Sequence, residues 1–566
     1  MSRSQARLRD SMPRCLQPQA STMTRRRLTP LSRTPLTGRI GEALHLAADR
    51  WPRQVIATDR PAGIDPCGAL TRTYAQWAHT VDAAAGWLHE LGVRRWDRVA
   101  VLKSNHFDIS VLACATARLG AVPALLSGAY GPEIARTLLA RLDRPFLVTD
   151  RAHVKDCGID QDTVTRLTER TVCVDGPQDR PDLVDLDDLR GAAPPAPAFR
   201  ADDEAMIITH TSGTTGIPKL VVHTAESERS IALIESERWP VIGIRPSDVW
   251  AYAEPFWHER QTHNLLSLTA IGPRMLTISD PLAPQVRDLL VAHRPTLVEA
   301  LPNTFLAWER MARDPARPFG RVREYINSFD AIHTRTIRTF LDASDRRMPI
   351  WLQAWSQSEN GTLLMRPYVR WSVRRRGRRP APTQLLGWPV PGFGRIRTVD
   401  PVTGEPTERG RPGLVQIAQP GRCLAYVGEP ERHAAKRDGR WWHTGDFGVI
   451  NRLGALRLVD REIDRLLDGS AIELEDVLLD RLVHTTEVIV LPVDGQRPVP
   501  VVSTADDVPL DIGEWRRATA DLPALADPVQ IRWEDFPRTG TWKVRRVELR
   551  ERLIPGSRPH GRGSWT

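Results

Sequence analysis

Short apolar runs alternate with segments of helical periodicity from about residue 37 onward. The pattern predicts a strand at Arg98–Lys103, a helix at His106–Leu119, a strand at Val122–Leu126, a helix at Pro132–Leu142 and a strand at Pro145–Thr149. Strands that alternate with helices indicate a parallel, helix-covered sheet. Such sheets bind ligands at the carboxyl ends of their strands, so we expect the functional site there.

Chain length and irregular stretches indicate the larger organisation. At 566 residues the chain exceeds what one hydrophobic core usually supports, so we expect a large domain and a smaller one. A stretch rich in proline and alanine, Gly191–Ala201, is predicted to connect at the surface into a strand at Ala205–Thr209. The irregular stretch Trp371–Pro382 carries the basic run Arg374–Arg379. Such a run is typical of a solvated loop, with an anion or partner contact as the alternative.

Several protein classes are disfavoured by composition. No segment approaches the roughly 18 to 20 uninterrupted apolar residues of a membrane-spanning helix, so we expect a soluble protein without a membrane partner. The six cysteines form no CxxC pair, which disfavours a disulfide framework or a zinc site and favours the cytoplasm. The first 36 residues lack an apolar segment and are predicted to be a disordered extension. A transit peptide, or a true start at Met23, are the alternatives.

The net charge of +9 does not by itself indicate a nucleic-acid partner, because basic and acidic residues are interleaved along the chain. Of the 78 basic residues only five are lysines, and they include Lys219 and Lys543. Where arginine has replaced lysine almost everywhere else, a remaining lysine indicates a position that needs a compact ammonium.

The strongest local signal is the segment Thr209–Lys219 (THTSGTTGIPK), which follows an apolar run. Its backbone N–H groups can wrap a polyphosphate while its hydroxyls donate to the phosphate oxygens. The pattern GxxxxGK[ST] is absent, so this is not a Walker loop. The groups that make the loop suitable are Thr211, Ser212, Gly213, Thr214, Thr215, Gly216 and Lys219.

Five segments, in the same order along the chain, resemble those of the adenylate-forming superfamily, which contains acyl-CoA synthetases, peptide-synthetase adenylation domains and firefly luciferase. The resemblance runs from about residue 40 to 552. Besides the Thr209–Lys219 loop, the segments are Gln353–Glu359 (QAWSQSE), Trp442–Gly448 (WHTGDFG), the hinge region Asp460–Leu474 and Pro537–Lys543 (PRTGTWK).

This resemblance implies an α/β fold with a large N-terminal domain of helix-covered sheets and a small, mobile α+β C-terminal domain. The expected division is an extension at 1–36, the large domain at 37–459, a lid domain at 460–553 and a flexible tail at 554–566. The hinge aligns with the family only if one residue is deleted before Gly469. Formation of a thioester by domain rotation is therefore less firmly implied than adenylation.

The resemblance also assigns site residues, with ATP and Mg2+ as cofactors. Glu359 would bind Mg2+, Asp446 the ribose hydroxyls, and Lys543 would bridge the acid and the α-phosphate. The residues assigned to ATP binding are Thr211, Ser212, Gly213, Thr214, Thr215, Gly216, Lys219, Trp355, Ser358, Asp446 and Arg461. Those assigned to catalysis are Lys543, Glu359 and Thr214.

The acid pocket departs from the family pattern. His258 matches a position beside the acyl pocket, although a packed histidine is an equal alternative. Phe329 and Asp330 stand where the family has a pair of small residues, so we expect a reshaped pocket. Trp542 replaces the glycine that usually precedes the catalytic lysine.

These observations predict ATP-dependent adenylation of an aryl or acyl acid in a specialised pathway, followed by transfer to coenzyme A or a separate carrier protein. Some members of the superfamily activate nitrite and form a diazo group on an arylamine. Glu254, Glu259, Arg260 and Asp330 would make the acid pocket polar, which is compatible with that second hypothesis. A non-catalytic nucleotide-binding protein is the third. Retention of Lys219, Glu359, Asp446 and Lys543 together speaks against it.

Overall fold

The computed structural model describes residues 36–176, 180–213, 216–237, 241–373, 382–461, 466 and 469–557. The predicted N-terminal extension up to residue 35, the basic run Arg374–Arg379 and most of the predicted tail lie outside these ranges, as does the pair Thr214 and Thr215.

Strands account for much of the described chain. In chain order they are β1 (Val55–Thr58), β2 (Thr71–Thr73), β3 (Arg98–Leu102), β4 (Val122–Leu126), β5 (Phe146–Thr149), β6 (Thr171–Cys173), β7 (Val184–Asp185), β8 (Ala205–His210), β9 (Leu220–Thr224), β10 (Val249–Ala253), β11 (Arg274–Thr277), β12 (Leu297–Ala300), β13 (Glu324–Asn327), β14 (Ile350–Gln357), β15 (Gly361–Tyr368), β16 (Leu385–Pro389), β17 (Arg395–Val399), β18 (Pro412–Ala418), β19 (Ala425–Tyr426), β20 (Arg437–Asp438), β21 (Trp441–Ile450), β22 (Leu456–Arg461), β23 (Thr485–Leu491), β24 (Val499–Thr504) and β25 (Val529–Gln530).

Helices cover the sheets. They are α1 (Ile40–Arg50), α2 (Tyr74–Leu91), α3 (Asp108–Arg118), α4 (Pro132–Arg141), α5 (Arg151–Asp156), α6 (Gln161–Leu167), α7 (Ala225–Ser236), α8 (Glu259–Ile271), α9 (Val286–His293), α10 (Pro302–Ala307), α11 (Glu309–Ala312), α12 (Thr334–Ala343), α13 (Pro430–Ala435), α14 (Ala471–Arg481), α15 (Ile512–Thr519) and α16 (Arg546–Leu553). Within the described ranges, none of these helices is both long enough and apolar enough to span a membrane.

The predicted alternation of strands and helices between residues 98 and 149 is confirmed, and the observed ends differ from the predicted ones by at most two residues. Strands β3, β4 and β5 pair in parallel, and β8 joins β4 in parallel as well. Their apolar runs are buried on both faces, as expected for a sheet that is covered by helices. Helix α4 begins at Pro132, whose fixed φ suits a first helical turn.

Two large sheets and one small sheet make up the architecture. The eight-stranded sheet has the order β19-β9-β8-β4-β3-β5-β6-β7. The 14-stranded sheet has the order β17-β18-β21-β22-β16-β15-β14-β13-β12-β10-β11-β1-β2, with β20 beside β21. Its run from β14 through β13, β12, β10 and β11 to β1 is parallel, and the remaining pairs are antiparallel.

The C-terminal residues build a separate small sheet, β23-β24-β25, packed against helices α14 and α15. Leu478, Val490, Val502 and Trp515 belong to its own hydrophobic cluster. Strand β22 runs across the predicted domain boundary at 459/460 and pairs with β21 of the large sheet. The division of the chain into domains at these residues, and the mobility of the smaller one, stay predictions.

A dense aromatic cluster supports the parallel strands of the large sheet. Phe305 is fully buried, and its ring lies 4.5 Å from Trp351 and 5.0 Å from Phe340, measured between centroids. Aromatic side chains in such edge and tilted contacts contribute both buried area and ring interactions.

Substitution Phe305→Ala should lower the free energy of unfolding by about 3 to 5 kcal/mol, because it removes a buried ring and leaves a cavity. The measurement is urea unfolding followed by tryptophan fluorescence. Leu453, which is 81% exposed, provides a matched control, since Leu453→Ala should change stability by less than about 0.5 kcal/mol. Equal midpoints for the two variants would contradict this role of the aromatic cluster.

Candidate active site

A cavity of about 360 Å3 lies where the two large sheets meet. Its lining includes residues that lie one to five positions beyond the carboxyl ends of parallel strands: Thr211 after β8, His258 after β10, Asn303 after β12, Phe329 after β13 and Glu359 after β14. The predicted location at the carboxyl ends of strands is therefore confirmed.

The predicted phosphate loop is closed at its base by two hydrogen bonds. The Thr211 N–H donates to the Lys219 carbonyl at 3.0 Å, and the Lys219 N–H donates to Thr211 Oγ1 at 3.1 Å. Gly213 has φ +67°, and an added Cβ would lie 2.7 Å from Pro218 Cγ, so only glycine fits. The Gly216 N–H turns back toward the Gly213 carbonyl at 3.4 Å. Thr211, Ser212, Gly213 and Lys219 line the cavity.

A buried carboxylate faces this loop. Glu359 Oε1 accepts a hydrogen bond from the Tyr426 hydroxyl at 2.5 Å. Burial raises the pKa of Glu359, but the ammonium groups of Lys219 and Lys436 and the hydrogen bonds to this carboxylate together lower it by more, so the net shift is downward. Burial in turn lowers the pKa of Lys219 to about 8, and Glu359 opposes that shift. An ionised carboxylate at a cavity wall offers the oxygen donors that Mg2+ prefers, and Glu359 therefore fits such an ion.

Residues far apart in sequence meet on the other side of the cavity. Asp446 on β21 is paired in register with Arg461 on β22. Burial raises the pKa of Asp446, while Arg461 and the two lysines Lys436 and Lys543 oppose the shift. Burial lowers the pKa of Lys543 to about 8, and Asp330 and Asp446 oppose that change. Asp446, Arg461 and Lys543, all predicted to act on one ligand, thus surround the same space.

Lys543 is held in the cavity by a tight hairpin. The Thr539 N–H donates to the Lys543 carbonyl at 2.9 Å, and the Lys543 N–H donates to Thr539 Oγ1 at 3.2 Å. The hairpin contacts the large domain closely, because a Cβ added to Gly540 would lie 2.4 Å from Ser127 Oγ and 3.1 Å from Trp257 Cζ2. Asn303 also fastens the hairpin, donating from Nδ2 to the Trp542 carbonyl at 2.8 Å.

Two residues with large side chains have a left-handed backbone conformation. Both stand at positions where the resembled family has small residues. Phe329 has φ +72° and Trp542 has φ +64°. A bulky residue in this region costs about 1 to 2 kcal/mol, so both conformations must be enforced by their surroundings. The Phe329 ring lies 4.4 Å from the His258 ring, and Trp542 lies 5.6 Å from Trp533.

The predicted pocket residue His258 also has a structural role. Its Nδ1 accepts a hydrogen bond from the Arg260 N–H at 3.1 Å, and it caps helix α8. Burial, with His210 and Lys543 nearby, holds the pKa of His258 well below its usual value, so the ring is neutral. Nδ1 is then the acceptor and Nε2 carries the hydrogen. Asp330 is exposed at the cavity rim, and its Oδ1 accepts from the Ala331 N–H at 2.9 Å.

Of the remaining predicted residues, Trp355 and Ser358 both line the cavity. The Ser358 carbonyl accepts a hydrogen bond from His223 Nε2 at 2.7 Å. Thr214 and Thr215 were predicted to act here but lie outside the described residues. The hinge positions Ile463 and Asp464 lie outside them as well.

Sequence reasoning missed several residues of the site. Lys436 lines the cavity and interacts with Glu359, and its only signal was membership among the five lysines. His210 lies inside the predicted loop motif. Its Nε2 accepts from the Ser127 N–H at 3.0 Å, its ring stacks 4.8 Å from Trp257, and burial lowers its pKa to about 4. Tyr426 carried no sequence signal.

Comparisons with known proteins agree with this site. The family described as AMP-binding enzyme matches residues 47–427. The chain is 38% identical over 545 residues to the 3-amino-2-hydroxy-4-methoxybenzoate diazotase of Streptomyces cremeus, covering 93% of this chain and 97% of that protein. It is 25% identical over 523 residues to the 3-hydroxybenzoate–CoA ligase of an Aromatoleum species, covering 88% and 94%.

Among solved structures, ATP-bound MatB from Rhodopseudomonas palustris superimposes with a TM-score of 0.74 at 22% identity, covering 91% of this chain and 99% of that one. This likeness confirms the predicted α/β fold class, a large domain of helix-covered sheets with a small C-terminal domain.

ATP binding should weaken as pH rises through about 8, because Lys219 and Lys543 carry their charge below that pH and lose it above. Calorimetric titration of ATP from about pH 7 to pH 9.5 should show affinity falling about tenfold or more, as expected when one or two cations leave a phosphate site. In Lys219→Arg the charge persists, so the fall should become shallower. A profile that stays level to the highest pH would contradict these lysine assignments.

Proposed function

Because this chain belongs to the AMP-binding enzyme family, we propose that it is an ATP-dependent diazotase, which adenylates nitrite and transfers its nitrosyl group to an arylamine. The chain is an AMP-forming acid ligase, and the proposal concerns which acid and which acceptor it uses. The diazotase relative supports this choice, since its similarity extends over nearly the whole chain at 38% identity.

The observation that carries the proposal is the closed acid side of the cavity. His258 and Phe329 form its wall, with their ring centroids 4.4 Å apart. Helix α8, immediately beyond His258, is buried along its whole length. Within the described ranges, no residue of α8 lines the cavity. At about 360 Å3 the cavity is near the lower end of the roughly 300 to 1,000 Å3 typical of ligand pockets, and the nucleotide must share it.

The interior behind that wall is charged. Arg260 Nη1 pairs with Glu235, and Arg260 Nε pairs with Glu299, each at 2.5 Å. An aryl carboxylate whose carboxyl group lies beside the α-phosphate would have to place its ring in this network and leave charges buried without partners, which costs several kcal/mol. The arylamine of the second step is not itself adenylated and need not pass this wall. Nitrite, an anion of three atoms, needs no such space. The closed and polar wall therefore supports a small inorganic acid over an aryl or acyl acid.

In the adenylation step, the side chains of the site have the following roles. The loop Thr211–Lys219 holds the outer phosphates, and Asp446 accepts hydrogen bonds from the ribose hydroxyls. Glu359 holds Mg2+, which would neutralise charge on the phosphates. Lys543 bridges nitrite and the α-phosphate. A nitrite oxygen attacks the α-phosphorus, the bond to pyrophosphate breaks, and Lys543 stabilises the charge that develops on the phosphoryl oxygens.

The second step needs an amine nucleophile. The arylamine nitrogen attacks the nitrogen atom of the nitrite–AMP anhydride, and AMP leaves with the electron pair of the broken N–O bond. The resulting N-nitroso amine loses one amine proton, isomerises to the diazohydroxide and expels hydroxide to give the diazonium group. The amine proton passes to the departing AMP phosphate or to water, because His258 Nδ1 already accepts the Arg260 N–H and Nε2 carries a hydrogen.

Purified protein should release pyrophosphate from ATP and Mg2+ with nitrite, and should form a diazo product when an amino-hydroxybenzoate is added. The measurement is a coupled pyrophosphate assay, with the coloured product followed by absorbance. Lys543→Ala should lower the nitrite-dependent rate by about 100- to 1,000-fold, the effect of losing one transition-state donor.

The matched panel contains aryl, acyl and amino acids, each with and without coenzyme A. Pyrophosphate release that depends on an organic acid, with none from nitrite, would refute the diazotase and favour the ligase reaction predicted first. Transfer to coenzyme A or to a carrier protein stays a prediction until that panel is run.

Phe329→Gly should enlarge the acid side of the cavity and relieve the left-handed strain at that residue. We expect it to raise pyrophosphate release with benzoates by about tenfold relative to wild type, while nitrite-dependent release changes by less than about threefold. Trp542→Gly relieves a similar φ without opening this wall and provides the matched control. An unchanged benzoate rate in Phe329→Gly would show that this ring does not limit the size of the acid.

A further inference from the structure

A second cluster of ligating side chains lies behind the cavity wall, in the interior between helices α7 and α8. His223, Glu228 and Glu259 are all buried, and one ligand atom from each lies within 4.8 Å of the others. The imidazole ring of His223 lies next to the turn that contains Ser358, and Glu259 is the residue after His258. The cluster borders the proposed reaction site, yet the adenylation chemistry uses none of its members.

Glu228 is the reason to assign a ligand to this cluster. Its side chain is fully buried, and neither of its carboxylate oxygens has a hydrogen-bond partner within the described structure. Oε1 lies 3.6 Å from His223 Nδ1, too far for a hydrogen bond and close to the separation of two donors on one metal ion. A buried ionised carboxylate without a partner is strongly unfavourable, so Glu228 must take up a proton or face a bound cation.

His223 directs toward the cluster the ring nitrogen that can bind a metal ion. Its Nε2 lies 2.7 Å from the Ser358 carbonyl, which can only accept, so Nε2 carries the hydrogen. In the neutral ring Nδ1 then has a lone pair directed at Ser227 and Glu228. An imidazole that donates through one nitrogen to a backbone carbonyl and binds through the other is the usual arrangement of a histidine metal ligand.

Glu259 is oriented in a comparable way. Arg260 Nη1 donates to His263 Nε2 at 3.1 Å, so His263 Nδ1 carries the hydrogen and donates to Glu259 Oε1, also at 3.1 Å. Arg260 is itself engaged by Glu235 and Glu299. Among the ion pairs of the described residues, Glu228 and Glu259 pair with histidines only. Two buried carboxylates therefore lack a dedicated cation.

We propose that His223, Glu228 and Glu259 form a buried binding site for a divalent transition-metal ion, for which Zn2+ is the best match. One imidazole nitrogen and two carboxylates are ligand types common in zinc sites. The absence of a CxxC pair disfavours a zinc site with cysteine ligands, and the site proposed here has no cysteine ligand. The ion neutralises the carboxylates, and through His223 and the Ser358 carbonyl it fixes the turn that carries Glu359.

The test measures the metal content of the full-length protein, expressed in zinc-supplemented medium, freed of nucleotide and dialysed against EDTA. Mass spectrometry of the first-row metals should find about one ion per chain in the wild type, because a buried site is loaded on folding and exchanges slowly. Glu228→Gln keeps the shape of the side chain but removes the charged donor, and should lower the content about tenfold.

Two controls separate this site from its surroundings. Glu254 is likewise a buried glutamate with both oxygens unpartnered in the described structure, but it lies outside the cluster, so Glu254→Gln should keep its metal. Glu359→Gln disrupts the proposed Mg2+ position and should also keep it. If Glu254→Gln and Glu359→Gln both retain the metal ion while Glu228→Gln loses it, the ion is bound by His223, Glu228 and Glu259.

Thermal unfolding tests for the bound metal ion even if a variant folds poorly. Wild-type protein from chelator-treated medium should have a lower Tm than zinc-loaded protein, while Glu228→Gln should have the same Tm from either medium. Wild type without stoichiometric metal and with one Tm from both media would overturn the proposal. A Glu228→Gln variant that is as stable as that metal-free wild type would then identify Glu228 as a protonated acid.

Discussion

The electrostatic interaction between Glu359 and Lys219 is the constraint on which the site depends. Lys219 leads into β9 of the eight-stranded sheet, whereas Glu359 follows β14 of the 14-stranded sheet. The charge of Lys219, together with Lys436 and the Tyr426 hydrogen bond, outweighs burial and holds the pKa of this carboxylate below its usual value. Two further contacts cross between the same segments, from His223 to the Ser358 carbonyl and from the Cys423 N–H to the Glu359 carbonyl, each at 2.7 Å. The two sheets are thereby joined at the cavity that they enclose.

Specialisation of the site is concentrated at its acid end. The nucleotide side keeps a loop pinned at both ends, a buried carboxylate and several cations, which are what a polyphosphate with its counter-ion needs. The acid side instead contains Phe329 at a strained φ and a charged interior around Arg260. Strain of this kind persists only where neighbouring groups enforce it.

The charged interior behind the wall also has an energetic consequence. In this part of the described structure, Arg260 interacts with four buried glutamates (Glu235, Glu254, Glu259 and Glu299), and a fifth, Glu228, lies beside Glu259. A network with excess negative charge must take up protons or a metal ion, since low dielectric surroundings make every uncompensated charge costly. A metal ion would also make the network rigid, and helix α8 carries the wall residue His258 at its N-terminus.

The sequence alone was sufficient for the alternation of strands and helices between residues 98 and 149, and for a cavity at strand ends whose wall includes Thr211, Ser212, Gly213 and Lys219. Each of these depends on local pattern: the period of apolar positions, or a dense run of glycine and hydroxyl residues. Tertiary structure alone decided that Lys436 and Tyr426 reach Glu359, that Phe329 and Trp542 keep a left-handed backbone, and that Arg260 of α8 pairs with Glu235 and Glu299. Those features depend on which distant segments come into contact, and the cost of burying a charge is known only once its neighbours are known.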